Sequence, residues 1–360
     1  MRFALSEDQM LLQDSLSKAL EQLAPLERVR RFADANEPSA PDIWEGLTEL
    51  GLPGLLIPEV HGGLGLGLLE GALAAEALGR RVAPTPFLGS AILAPLALMG
   101  AGSAEQQAFW LPRLAAGEVT AGIAIAEPIA GARDGDGVTS QDGRLNGRSL
   151  FAIGASGADL LIVADVKGRL HLTEQAEAVE AMCTIDSTRR LTEIVFRDTP
   201  AQPLARGAEA AACLGRLRDA AWTMIAADTL GAAQAMLDKA VAYAGERRQF
   251  SRVIGSFQAV KHLCAEMAAE IEPARALVWY AAYAFDRAPE EASLMAAHAK
   301  AHTSEIGRFV ARTSTEVHGG IGITDLLGLH YWFKRIGLNR QLLGGPERVR
   351  EIAARLQGLA

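Results

Sequence analysis

The 360-residue chain has only three cysteines, Cys183, Cys213 and Cys264, and they stand far apart with no CxxC pair. That excludes a disulfide scaffold and a cysteine-based metal site, and it fits a reducing cytoplasm. Lysine is scarce beside arginine, and no basic run offsets the net charge of −8, which excludes the usual electrostatics of a nucleic-acid partner. The first residues, Met1 to Glu7, carry no apolar signal region. Val82 to Ala104 holds no charge and is long enough to span a membrane, but Pro84, Pro86, Pro95, Gly89, Gly100 and Gly102 interrupt it. It reads as a loop and a buried helix, so no membrane span is expected. His61, His262, His302 and His330 share no metal-ligand spacing, and the surroundings of Ser90 and Ser149 form no nucleophile elbow.

What is there is a globular composition, with 49% hydrophobic and 22% charged residues on a chain long enough for two or three packed units. Ser6 followed by Gln9 is a capping box, with Leu11, Leu12, Leu16 and Leu20 at helical spacing behind it. Helical patterns return at Ile43 to Leu50 and Leu68 to Leu78. Between them an apolar run from Leu55 ends in the glycine-rich loop Gly62-Gly63-Leu64-Gly65. Near Val119 the texture changes to short apolar runs separated by turn residues: Ile123 to Ala126, Leu160 to Val163 and Glu193 to Phe196. From about Gly207, alanine-rich amphipathic segments predict helices at Ala220–Tyr243, Phe257–Phe285, Glu291–His318 and Glu347–Leu356. The expected fold is α+β and mostly α: a helical unit at 1–118, a β unit at 119–206 and a four-helix group at 207–360.

The most specific stretch runs from Glu246 to Met267. Arg247, Gln249 and Phe250 precede Gly255-Ser256-Phe257-Gln258, and His318-Gly319-Gly320 follows downstream. A guanidinium matches phosphate oxygens with forked donors, and paired glycines let a backbone approach an anionic or flat group. In this order the two elements resemble the flavin-binding signatures of the acyl-CoA dehydrogenase family, and the resemblance covers essentially the whole chain. It implies FAD, with Arg247 near the pyrophosphate and Gln249, Phe250, Phe257, Gln258, Gly319 and Gly320 lining the adenylate half. Glu316 stands where the family usually has glutamine. Because the family holds this half of FAD between neighbouring subunits, an oligomer is implied.

The flavin wall departs from the pattern. Ala126-Glu127-Pro128-Ile129-Ala130-Gly131 resembles the family's Thr-Glu-Pro-Gly-Ala-Gly stretch, with Ala126 for the threonine, Ile129 for a glycine and Ala132-Arg133 for the Ser-Asp pair that follows. Phe151-Ala152-Ile153 stands where Trp-Ile-Thr is usual. The lost hydroxyls leave polar flavin atoms to backbone amides or water, at about 1–3 kcal/mol for each group left unmet.

The base is missing too. Removing a weakly acidic α-proton requires a carboxylate in a dry pocket. The family places it at one of two positions, held here by Leu343 and Ala221. Glu347 is a weak substitute, because Gly345-Pro346 reads as a helix start that stabilises its anion. Asp219 lies about 200° around the helix from Ala221. It matches a family aspartate that contacts substrate, and Trp222 replaces the arginine of that substrate-binding pair. Asp228 shares Ala221's helix face two turns away and reads as a structural partner.

The resemblance thus implies FAD-linked α,β-desaturation of an acyl-CoA thioester, with electrons leaving to an electron-transfer flavoprotein. The losses point to the non-catalytic subunit of a heteromeric dehydrogenase, in a homo- or hetero-tetramer, with fatty acyl or bulky steroid side-chain thioesters as substrate classes. A self-sufficient dehydrogenase with an unlocated base, a flavin monooxygenase or oxidase, and a cofactor-free scaffold stay open on the same fold.

Overall fold

Ser6 starts the first helix as its capping box predicts: Ser6 Oγ accepts the Gln9 N–H at 3.2 Å and the Gln9 side chain accepts the Ser6 N–H at 2.9 Å. The computed structural model describes residues 4–132, 135, 137–204 and 208–359. Six helices open the chain: α1 (Glu7–Leu23), α2 (Leu26–Asp34), α3 (Pro41–Thr48), α4 (Leu68–Arg81), α5 (Ala94–Ala101) and α6 (Ala104–Ala115). The uncharged stretch after Arg81 becomes a loop and a buried π-helical turn, Leu88–Leu93, that runs into α5. Pro95 has no N–H to close an ordinary bond to Ala91, and the wider turn accommodates it. Among the described residues no helix is long and apolar enough to cross a membrane.

The middle of the chain forms eight strands: β1 (Ala121–Ala124), β2 (Gly137–Gln141), β3 (Arg144–Ile153), β4 (Leu160–Ala164), β5 (Leu170–Thr173), β6 (Ala178–Ala181), β7 (Leu191–Pro200) and β8 (Gln202–Pro203). Their order is β6-β7-β3-β1-β4-β5-β8, with β2 on β3. Only the β1–β4 pair among them is parallel. A short helix, α7 (Ala126–Ala130), follows β1 and packs on β3.

The last part holds α8 (Ala208–Glu246), a hairpin of β9 (Arg248–Gln249) and β10 (Arg252–Val253), then α9 (Gln258–Arg287), α10 (Pro289–His318), α11 (Leu329–Gln341) and α12 (Pro346–Leu356). Two points correct the sequence reading. First, α8 begins twelve residues before Ala220. Second, α11 is an additional helix, hidden because its core face carries polar residues: Arg335 and Asn339 are 1% and 0% exposed.

Those residues tie the molecule together. Arg335 donates to Asp186 at 2.6 Å, to Asp228 at 3.0 Å and to the Thr188 hydroxyl at 2.7 Å. Asn339 donates to Asp228 at 2.6 Å, and Arg189 reaches the same carboxylate at 3.0 Å. The loop before β7, α8 and α11 therefore share one buried network. Losing one partner strands a charge, which typically costs about 3–5 kcal/mol. Asp228 is the structural partner that its position on α8 suggested. Close approach completes the frame: a Cβ on Gly79 would sit 2.1 Å from the Asp228 carbonyl oxygen, and one on Gly231 would sit 1.9 Å from that of Glu76, so the α4 and α8 backbones touch there.

Candidate functional site

A cavity of about 360 Å³ lies where the start of α7, the end of β3 and the end of α11 meet, lined by Ala126, Glu127, Phe151, Leu342 and Leu343 among others. Two of its walls are strained. Phe151 has φ +56° beside a register shift between Ser149 and Ala152, and Leu343 has φ +57° in the turn after α11. Left-handed backbone at bulky residues persists only where surroundings enforce it, and such positions cluster at functional sites. Glu127, which sequence reasoning passed over as a possible acid or base, is buried in this wall. Its two oxygens accept from Ser149 Oγ at 2.8 Å and the Leu150 N–H at 2.5 Å, so it braces α7 against β3. Ala126 supplies no hydroxyl to the cavity. Ile153 lines a different cavity, so the structure separates these two flavin-wall positions. Arg133 lies outside the described residues.

The two positions where the family resemblance places the base are both buried. Ala221 is 0% exposed and Leu343 is 3% exposed. Trp222, next to Ala221 on α8 and also 0% exposed, donates its indole N–H to the Leu343 carbonyl at 2.9 Å. The residue beside one base position is thus hydrogen-bonded to the other, a contact across 121 residues that no local pattern reveals. Asp219 is buried and fully engaged, accepting from Arg218 at 2.7 and 2.9 Å and from Ser293 Oγ. Glu347 sits in the first turn of α12, behind Gly345 and Pro346. Its own backbone N–H, together with Arg340 at 3.0 Å, holds its carboxyl below the usual range, which makes it a poor base. The four histidines stand on separate elements, and among the described residues no group of three or more His, Cys, Asp or Glu could hold a metal.

The residues expected around the adenylate collect at the far end of α8. Tyr243 and His318 stack with centroids 4.8 Å apart, which brings the ends of α8 and α10 together. Arg247, Gln249, Phe250, Gln258, Glu316, Gly319 and Gly320 are all exposed there. Phe250 is 88% exposed at φ +51° and meets Phe257 edge-on at 6.2 Å, while Arg252 covers the Phe257 ring at 3.8 Å. An exposed aromatic on strained backbone, with guanidinium groups beside it, is suited to receive a flat anionic group from outside. Arg247, just past the end of α8, lies 26 residues after Ala221, or about 39 Å along the helix direction.

Residues 6–118 match the model for the acyl-CoA dehydrogenase N-terminal domain, and residues 205–357 match that for the C-terminal domain. The acyl-CoA dehydrogenase IpdE2 of Mycolicibacterium smegmatis is 32% identical, over 97% of this chain and 99% of that protein. The chain belongs to the acyl-CoA dehydrogenase family. This is a family of FAD-dependent oxidoreductases, and the fold described above is theirs. A variant of the Tcur3481-Tcur3483 steroid ACAD superposes with a TM-score of 0.88 at 30% identity, covering 98% of each chain. The ChsE4-ChsE5 complex of Mycobacterium tuberculosis gives 0.89 at 26%, covering all of both chains. Against the rest of this family's pattern, the exposed arginine and glycine elements fit the adenylate half of FAD. The wall near Ala126 and Leu343 fits the flavin poorly, because Ala126 brings no hydroxyl to it.

Proposed function

We propose that this chain is the non-catalytic subunit of a heteromeric acyl-CoA dehydrogenase. It presents Arg247, Gln249, Phe250, Gly319 and Gly320 to the FAD of a partner chain that carries the base. The observation that carries this reading is the Trp222–Leu343 bond. An indole fully buried next to Ala221 and bonded to the Leu343 carbonyl leaves no carboxylate at either usual base position, and Glu127, the carboxylate of the nearby wall, is committed to Ser149 Oγ and the Leu150 N–H. The cofactor, when bound, supplies the hydride acceptor, and the partner supplies the carboxylate. This chain holds one end of the cofactor and excludes water from the shared interface. The reading is supported by the 39-residue α8, which separates the two half-sites, and by relatives whose structures contain two differently named chains. The substrate class is a bulky acyl-CoA thioester, in line with the steroid enzyme among those relatives, and electrons leave to an electron-transfer flavoprotein.

The test is flavin per chain by visible absorbance, on the protein alone and after co-expression with a neighbouring dehydrogenase-like chain. Little flavin alone and about one per pair supports the proposal. One flavin per chain alone, bleached by an acyl-CoA, overturns it in favour of a self-sufficient enzyme using the 360 Å³ cavity.

A further inference from the structure

A cavity of about 200 Å³ opens where the junction of α1 and α2 meets the last turn of α4, the later part of α8 and α11. Leu26, Ala235 and Trp332 give it an apolar wall, and its charged lining is three cations and one carboxylate: Arg80, Arg81, Lys239 and Asp238. None of these residues lines the flavin-wall cavity or belongs to the elements that fit the adenylate. The two guanidinium groups are only partly engaged. Arg80 gives one terminal nitrogen to Asp238 at 2.5 Å, and Arg81 gives one to Glu21 at 2.7 Å. A guanidinium carries five N–H donors, so most of each fork is left over. Lys239 is left over entirely: among the described residues its half-buried ammonium meets no carboxylate. It lies over the Trp332 ring, 4.6 Å from the centroid, and the Trp332 indole N–H donates to the Arg80 carbonyl at 2.9 Å, which fixes that ring. Burial and the neighbouring Arg81 charge both push the Lys239 ammonium below its ordinary value. Donors and positive charge in this recess therefore exceed what the chain's own carboxylates satisfy.

The geometry points to a binding site for a small phosphomonoester, its phosphate met by Lys239, Arg80 and Arg81 and its organic stem laid against Leu26, Ala235 and Trp332. A phosphomonoester suits three cations better than a carboxylate does, because it carries about −1.5 to −2 charge at neutral pH and three strongly accepting oxygens. Forked guanidinium donors match those oxygens. The volume sets the stem. A cavity of about 150 Å³ holds one benzene ring, so this one takes a phosphate with a stem of no more than about one ring. The site lies close behind the cofactor end of α8. Lys239 precedes Tyr243 by four residues, and Tyr243 stacks on His318, the residue before Gly319 and Gly320. Burial, and after it the Lys239 charge, lowers the His318 imidazole from its ordinary value. A dianion beside Lys239 offsets that charge, so His318 reports occupancy of the recess. The inference does not rest on the division of labour between two chains.

The test titrates the full chain calorimetrically with phenyl phosphate, with its methyl diester and with inorganic phosphate, and follows the His318 titration midpoint by NMR with and without phenyl phosphate. Phenyl phosphate should bind at one site, at least tenfold tighter than the diester, which carries a single charge. It should also bind tighter than inorganic phosphate, which has no stem. The His318 midpoint should rise on binding. Lys239→Gln should weaken phenyl phosphate at least tenfold and abolish the His318 response, while Lys239→Arg should keep part of the affinity. If Lys239→Gln does not fold, Arg81→Gln, at a partly exposed position, should weaken binding in the same way. Inorganic phosphate binding as tightly as phenyl phosphate overturns the assignment to a monoester. Equal affinity for monoester and diester, binding that survives both Lys239→Gln and Arg81→Gln, or a His318 midpoint that does not move overturns the site itself.

Discussion

Replacing Trp222 in two steps separates what its ring does from what its N–H does. Trp222→Phe keeps most of the buried hydrocarbon but removes the donor to the Leu343 carbonyl, leaving a buried acceptor unmet. The expected cost is about 1–3 kcal/mol. Trp222→Ala removes the ring as well, from a site that is 0% exposed and packed on several sides, and about 3–5 kcal/mol is expected. The second change consumes a large share of a stability that is typically about 5–15 kcal/mol. Both are read by urea denaturation, comparing midpoints at constant slope. Hydrogen exchange of the amides at 342–345 should rise in both variants, because the bond helps hold Leu343 at φ +57°. FAD content of the native assembly should not change, since Arg247 is about 39 Å from neighbouring Ala221 along the helix direction. A Trp222→Phe variant with unchanged stability and unchanged exchange would refute the idea that the indole locks the base loop. Loss of FAD without loss of stability would refute the separation of the two half-sites.

Three further outcomes follow from the geometry. Arg247→Ala should weaken FAD retention by the native assembly by tenfold or more, the worth of one charge-assisted phosphate contact of about 1.5–3 kcal/mol. Unchanged flavin absorbance per pair would remove Arg247 from the cofactor site. Glu347→Gln should leave turnover of the assembly unchanged, since that carboxylate is exposed and bonded to Arg340, and a dead enzyme with full FAD would make Glu347 the base after all. Lys300 is buried against the Asn339 and Arg340 carbonyls at the end of α11, and burial depresses its ammonium from 10.5 to about 7. Between about pH 7 and the unfolded value the unfolded chain binds the extra proton, so the stability contribution of this lysine rises with pH there. Relative to Lys300→Met, the wild type should gain up to roughly 1.4 kcal/mol per pH unit in that window. A difference that is flat with pH shows that the lysine stays charged.

How much was legible in advance depended on whether the signal was local. The Ser6 capping box, the helix start at Pro346 and the strand runs at Ile123 and Leu160 are written in neighbouring residues, and the structure keeps them. Helix α11 was not legible, because Arg335 and Asn339 are buried by partners on α8 and before β7, and a pattern of apolar faces scores them as solvent-facing. The loss of both carboxylates was legible one position at a time. That Trp222 joins the two positions was not, because the bond depends on the turn after α11 folding back onto α8.

The length of α8 has a consequence for how such a chain can change over generations. Sites farther apart than about 7–10 Å usually contribute additively, and on the proposed function this helix keeps the chemistry and the assembly duty at opposite ends of one rod. After a gene duplication, one copy can lose every catalytic group near Ala221 while selection still preserves its Arg247 end, because a sister chain depends on it. Complementary decay of that kind makes two chains obligate partners without any new contact having to arise, and a single copy carrying both intact ends would be the ancestral condition.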